Sequence, residues 1–234
     1  MKARYLKVRE ATLKKRKQYV EDNKEKVFKR KQKYRKENRE RLAEEKKKRY
    51  ESQKRECFSH YGNGKCSTCG EKEEEFLILD HVAGGGNEHR RNVGKNIYSW
   101  AVKENFPERL QVLCRNCNHE KGGIEHRSES KHESKREIKR WVLSHYSGGE
   151  PKCACCGKKK ETALCLDHLS GGGEHRRQIG INGGHRMYLW CIKNKFPRLF
   201  QVLCYNCNWS KKDKLCCIHL REPRPDPIIP HLLP

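Results

Sequence analysis

With 234 residues, of which 34% are hydrophobic and 36% charged, the chain lacks the apolar content for a large core. Small lobes this polar ordinarily need staples. A formal net charge of +24 predicts an anionic partner, nucleic acid first. No apolar run approaches the ~20 residues that span a bilayer, and the opening MKARYLKVREATLKKRK has no apolar signal core. The expectation is a protein with no membrane partner, kept inside the cell in a reducing compartment such as cytoplasm, nucleoid or nucleus. There, fourteen cysteines point to metal ligation before disulfides.

Residues 1–56 hold 24 Lys and Arg against 10 Asp and Glu, with no Gly or Pro before Gly62. This predicts a long basic helix, ~80 Å if unbroken. Tyr19, Asn23 and Glu25 recur as Tyr34, Asn38 and Glu40, but the apolar positions are too sparse for a coiled-coil seam. The segment reads as a solvated, ion-paired arm or as an electrostatic arm along a phosphate backbone, and the two are compatible.

An internal duplication follows. SHYGNGKCSTCG (59–70) is answered by SHYSGGEPKCACCG (144–157), and FLILDHVAGGG (76–86) by ALCLDHLSGGG (163–173). IYSWAVKENFPERLQVLCRNCN (97–118) is answered by MYLWCIKNKFPRLFQVLCYNCN (187–208). The first repeat covers 57–127 and the second 141–220, joined by a basic helical linker at 128–140. Five of eight prolines fall in 221–234, which predicts an extended tail. Each repeat predicts a Cys-x2-Cys knuckle, an apolar strand ending in Asp-His, and a Gly-rich basic loop. A helix around Trp100 or Trp190 follows, ended by Phe-Pro at Pro107 or Pro197. A second strand then runs into another Cys-x2-Cys, with a helix starting at Asn118 or Asn208. The fold class is α+β.

Cys66, Cys69, Cys114 and Cys117 form one ligand set, and Cys153, Cys156, Cys204 and Cys207 the other. Two-residue spacing lets both thiolates of a knuckle reach one ion, and four thiolates close a tetrahedral Zn2+ shell with no open position. Both sites read as structural. Cys165 and Cys191 read as small buried hydrophobes; Cys57, Cys155, Cys216 and Cys217 show no ligand pattern.

The zinc ties the last knuckle to the one before the first strand, so it draws Asp80, His81 and Asn118 together, and likewise Asp167, His168 and Asn208. A carboxylate with an amide oxygen suits a hard cation such as Mg2+ or Mn2+. A neighbouring neutral imidazole can take a proton from water. Gly84–Gly86 and Gly171–Gly173 leave room for a phosphate. His89, Arg90 and Arg91, matched by His175, Arg176 and Arg177, read as phosphate clamps or, more blandly, as solvated loop charges. His60 and His145 recur in matching SHY stretches as possible knuckle caps. Trp100, Trp190, Phe106 and Phe196 read as core.

This pattern resembles the His-Me finger (HNH-type, ββα-metal) nucleases, most nearly the phage recombination endonuclease VII group. The resemblance rests on Asp80, His81, Cys114, Cys117 and Asn118, repeated as Asp167, His168, Cys204, Cys207 and Asn208. It implies two tandem zinc-stapled ββα-metal lobes behind the basic arm. It further implies one Mg2+ or Mn2+ per lobe, held by Asp80 and Asn118 and by Asp167 and Asn208, with His81 and His168 as general bases. The substrate implied is DNA, branched DNA or a homing-type target included, and the setting a phage or virus. Where that family works as a homodimer, this chain already holds two sites, which implies a monomeric pseudo-dimer with a homodimer as the alternative. Arg109 and Leu199 stand where many members place an asparagine, and the GGGNEHRRNVGKN insert departs from the compact family core. The rival reading is a zinc-stabilised binder of DNA or RNA that does not cut.

Overall fold

A computed structural model describes residues 2–94, 96–124, 133–181, 183–211 and 217–220; the tail 221–234, the start of the linker and Cys216 lie outside them. The chain divides into two units, Met1–Gln53 and Lys54–Pro234.

The first unit is helical: α1 (Lys2–Asp22), α2 (Lys24–Glu37) and most of α3 (Arg39–Gly62). The single long helix expected here is pinched twice, at Asn23 and Asn38, which leave helical backbone geometry (φ −120° and −111°). Each Asn side-chain amide donates back to the carbonyl four residues earlier, Tyr19 O at 3.0 Å and Tyr34 O at 2.9 Å. It shares that carbonyl with its own backbone N–H, a competition that bends helices. The faint Tyr-Asn repeat is therefore a repeat of pinches. Exposed pairs one turn apart, Glu25–Lys29 and Arg41–Glu45, each at 2.6 Å, lie along the helix surface, where water screens them.

In the second unit, β1 (Leu77–His81) pairs antiparallel with β2 (Leu110–Cys114), and β3 (Leu164–His168) with β4 (Phe200–Cys204). These two-stranded sheets are the only ones among the described residues, so the fold is mixed α+β. The strands bury Leu77, Leu79, Val112 and Leu113 in one repeat and Leu164, Val202 and Leu203 in the other. An isolated hairpin is marginal in water. Here each is backed by a helix packed on its β2 or β4 strand: α6 (Arg115–Ile124) and α10 (Tyr205–Ser210). Between the strands lie α4 (Gly86–Asn92) and α5 (Ile97–Lys103), matched by α8 (Gly173–Ile179) and α9 (His185–Lys193). Helix α7 (Glu133–Ser147) leads into the second repeat and packs on α9 and β4.

Two sequence expectations shift. The glycine-rich loop is short: Gly84 and Gly85 turn with φ of 77° and 87°, and the chain then enters a helix that carries His89, Arg90 and Arg91. The last helices start at Arg115 and Tyr205, directly after Cys114 and Cys204 and ahead of Asn118 and Asn208. The thiolates cap them: Cys117 N–H donates to Cys114 Sγ (3.4 Å), and Cys207 N–H to Cys204 Sγ (3.5 Å). A helix N-terminus favours negative charge, so the cysteine that offers a metal ligand also starts the helix.

The SHY stretches have a different role from knuckle capping. Helices α5 and α9 stop at Lys103 and Lys193, before the prolines, because Asn105 and Phe106, and Lys195 and Phe196, take positive φ (53° to 58°). A bulky residue at positive φ is an outlier that its surroundings must hold. His60 stacks on Phe106 at 4.3 Å and His145 on Phe196 at 3.9 Å. Tyr61 Oη donates to Pro107 O (2.8 Å) and Tyr146 Oη to Pro197 O (2.9 Å). Each SHY is thus a clamp on its own Phe-Pro turn. Burial pushes the Tyr61 phenol up to about 12, so it remains a donor.

Candidate metal centres and the cleft beside the second repeat

The two expected cysteine sets are each brought together, with ligand sulfurs within 4.8 Å of one another. Ideal tetrahedral zinc with Zn–S of ~2.3 Å spaces thiolates about 3.8 Å apart. Cys69–Cys114 at 3.7 Å and Cys156–Cys204 at 3.8 Å match that spacing. Both clusters are four-thiolate sets suited to structural zinc. Cys57 and Cys191 are fully buried, and Cys165 is nearly so. Burial pushes the Cys57 thiol up to about 11, which keeps it a neutral core residue.

The knuckles also join the repeats. Asn116 and Asn206, each between two ligand cysteines, exchange bonds: Asn116 N–H donates to Asn206 Oδ1 (3.0 Å) and Asn206 N–H to Asn116 Oδ1 (3.1 Å). His119 stacks on Tyr205 at 3.7 Å, and in the equivalent place Arg115 lies over the Trp209 ring at 3.2 Å. Lys160 pairs with Glu120 at 2.6 Å. The first two contacts map onto each other when the repeats are swapped.

Each Asp-His pair ends its strand as expected. Register places Asp80 opposite Gln111 and Asp167 opposite Gln201, and both glutamine amides donate to the carboxylate (3.1 and 3.0 Å). The second partner is a lysine that sequence reasoning missed. Lys121 Nζ lies 2.7 Å from Asp80 Oδ2 and also bonds His81 O. Lys211 Nζ lies 2.7 Å from Asp167 Oδ2, 2.6 Å from His168 O and 3.1 Å from Leu169 O. The signal was present: both repeats read Cys-Asn-x2-Lys, and residues three apart share a helix face, so Asn118 and Asn208 lie on the same side as these lysines.

The histidines differ. His168 Nε2 is 2.9 Å from His175 Nδ1, and its own Nδ1 is buried without a partner. Burial first, then the charges of Arg176 and His175, push the His168 imidazole down to about 4, so it is neutral at neutral pH. His81 is also lowered, by burial and by His89, but its Nε2 is buried and unbonded; His89 meets it only ring to edge at 4.9 Å. His89 is itself buried, wedged against Trp100 at 4.4 Å, while Arg90, Arg91, Arg176 and Arg177 are exposed. Arg177 pairs with Glu174. The clamp set is thereby divided: the histidines face the Asp-His histidines, and the arginines face water.

A cavity of about 770 Å³ adjoins the second repeat. Asp167, Asn208, Lys211, Gly172 and Arg176 line one side; Arg115, Asn118 and His119 of the first repeat line the other. Asn208 Nδ2 donates to Cys165 Sγ at 3.1 Å, an amide bond that does not use its Oδ1. Among the described residues no helix is long and apolar enough to cross a membrane. Compared with protein-family models, curated proteins and solved structures, the chain finds no match.

Proposed function

We propose that the chain is a metal-dependent DNA endonuclease built as a monomeric pseudo-dimer of two zinc-stapled ββα-metal lobes, with the basic arm 1–56 adding affinity for the phosphate backbone. The observation that carries this reading is the cavity beside the second repeat, where Asp167 and Asn208 meet three cationic side chains, Arg115, Arg176 and Lys211. The donor set fits a hard cation. Asp167 spends Oδ2 on Gln201 and Lys211 and keeps Oδ1, and Asn208 keeps its amide oxygen. Those two residues would hold Mg2+ or Mn2+; Asp80 and Asn118 stand at the equivalent sequence positions of the first repeat, but there Asn118 lines the second repeat's cavity and Asp80 does not. The ion, when bound, supplies Lewis acidity toward a phosphate oxygen. His168, neutral and held at Nε2 by His175, would serve as the general base for the attacking water. Arg176 neutralises the phosphate. Branched DNA is the favoured substrate class, because two lobes in one body offer surfaces to two strands.

One observation favours a non-cutting binder. The Lys121 and Lys211 ammoniums already neutralise the two aspartates, which a pure binder would use to aim the lysines at phosphate. Supercoiled plasmid decides. The expected result is nicking with Mg2+ or Mn2+, none with EDTA, and none from the double variant His81→Ala/His168→Ala, with zinc content and DNA binding retained. Wild-type protein that binds plasmid and four-way junctions yet leaves both intact across these metals establishes the binder.

A further inference from the structure

We infer that the second repeat holds two metal ions, not one, with the Cys207 thiolate bridging them. The ligands of the additional ion are Cys155, Cys207, Cys217 and His219, whose donor atoms all lie within 4.8 Å of one another. None of Cys155, Cys217 and His219 belongs to the expected four-thiolate set, and Cys207 belongs to both.

The spacing is that of a coordination shell. Tetrahedral zinc with Zn–S of ~2.3 Å and Zn–N of ~2.0–2.1 Å sets sulfur and nitrogen about 3.5 Å apart. His219 Nδ1 lies 3.3 Å from Cys207 Sγ, 3.3 Å from Cys217 Sγ and 3.8 Å from Cys155 Sγ. One imidazole nitrogen has a single lone pair or a single proton, so it cannot satisfy three sulfurs by hydrogen bonding; one cation among them satisfies all four. The Ser210 hydroxyl, 2.9 Å from Cys217 Sγ, is placed to donate to that sulfur as a thiolate. Charge also balances: six thiolates around two dications carry the same net charge as four thiolates around one.

The first repeat provides the contrast within the same chain. Thr68 stands where the second has Cys155, so no third thiolate enters its knuckle. Among the described residues it holds a single ligand cluster, Cys66, Cys69, Cys114 and Cys117. The His219 ring lies 5.0 Å from Phe76 of the first repeat, so the additional ion pins the segment 217–220 where the repeats meet. This is a structural site: its four protein ligands leave no open position.

Metal content of the purified full-length chain tests this. Elemental analysis is expected to give three zinc per chain, and the 113Cd-substituted protein three resonances, two of them coupled to the Cys207 β-protons. Cys217→Ser and His219→Ala are each expected to drop the count to two. The wild-type measurements stand alone should either variant fail to fold. Two ions per chain in the wild type, unchanged by both variants, overturns the inference. So does a Cys155–Cys217 disulfide found by mass spectrometry of the alkylated protein.

Discussion

The two repeats write the same residues at the same places and do different things with them. In the second, the Asp-His histidine is bonded to its neighbour, Asp167 and Lys211 are buried to 12% side-chain exposure, and the cationic cavity opens beside them. In the first, His81 has no such bond, and Asp80 and Lys121 are more open at 19% and 22%. The first repeat also lends Asn118, His119 and Arg115 to the second repeat's cavity. The two copies thus take unequal shares of one cavity: the second lines it with Asp167, Asn208 and Lys211, and the first supplies a wall.

The largest effect that sharpens this contrast is on the metal sites. Structural zinc contributes roughly 10–16 kcal/mol of apparent binding energy, more than the ~5–15 kcal/mol that stabilises a whole domain. Cys117→Ser is therefore expected to unfold the first repeat with loss of one ion. Cys207→Ser is expected to unfold the second with loss of two. Elemental analysis with near-ultraviolet circular dichroism reads both; equal losses would erase the difference between the repeats.

Next in size is catalysis. A general base contributes ~10²–10⁴-fold. His168→Ala is expected to lower plasmid nicking by at least 100-fold, while His81→Ala lowers it by no more than half. Nicking rates of the two single variants decide, and the reverse ranking would move the working site to the first repeat.

What could be read from sequence was what is local or repeated. Cys-x2-Cys pairs fix their own geometry over two intervening residues, and Asp-His followed by Gly-Gly-Gly recurs 87 residues on, so the knuckles and strand ends were legible. The aspartate's partners were not. Gln111 and Gln201 reach it through strand register, and Lys121 and Lys211 through a helix that starts one knuckle later. The glutamine pairing is not visible until the strands pair, and the repeated Cys-Asn-x2-Lys shows the lysines without showing that they reach the strand end. The SHY clamps were missed because their target, a Phe-Pro turn some 46 to 51 residues away, becomes strained only once folded. The additional cluster was hidden inside Cys-Ala-Cys-Cys, where the expected pair claimed two cysteines and left Cys155 without a reason.

The smallest effect separates the repeats at a single carbon. A methyl added at Gly172 would sit 2.4 Å from His168 Nδ1 and 2.9 Å from two further ring atoms. The ring has nowhere to go, because Phe200 closes its other side at 4.5 Å and His175 holds Nε2. By the 87-residue offset the first repeat's counterpart is Gly85, a left-handed turn with open space around it; the glycine that faces His81 there is Gly86, where a methyl meets Nδ1 at 3.6 Å, ordinary contact distance. Neither Gly172 nor Gly86 has positive φ, so strain in the backbone does not enter at these two. Gly172→Ala is expected to cost about 1–3 kcal/mol, as overpacking does, and to lower nicking by swinging His168 off His175. Gly86→Ala is expected to be neutral or to stabilise by ~0.5–1 kcal/mol, since alanine suits a helix better than glycine. Urea midpoints measure both. Matching shifts would mean that the second histidine is as free to move as the first, and tight packing would cease to set the second repeat apart.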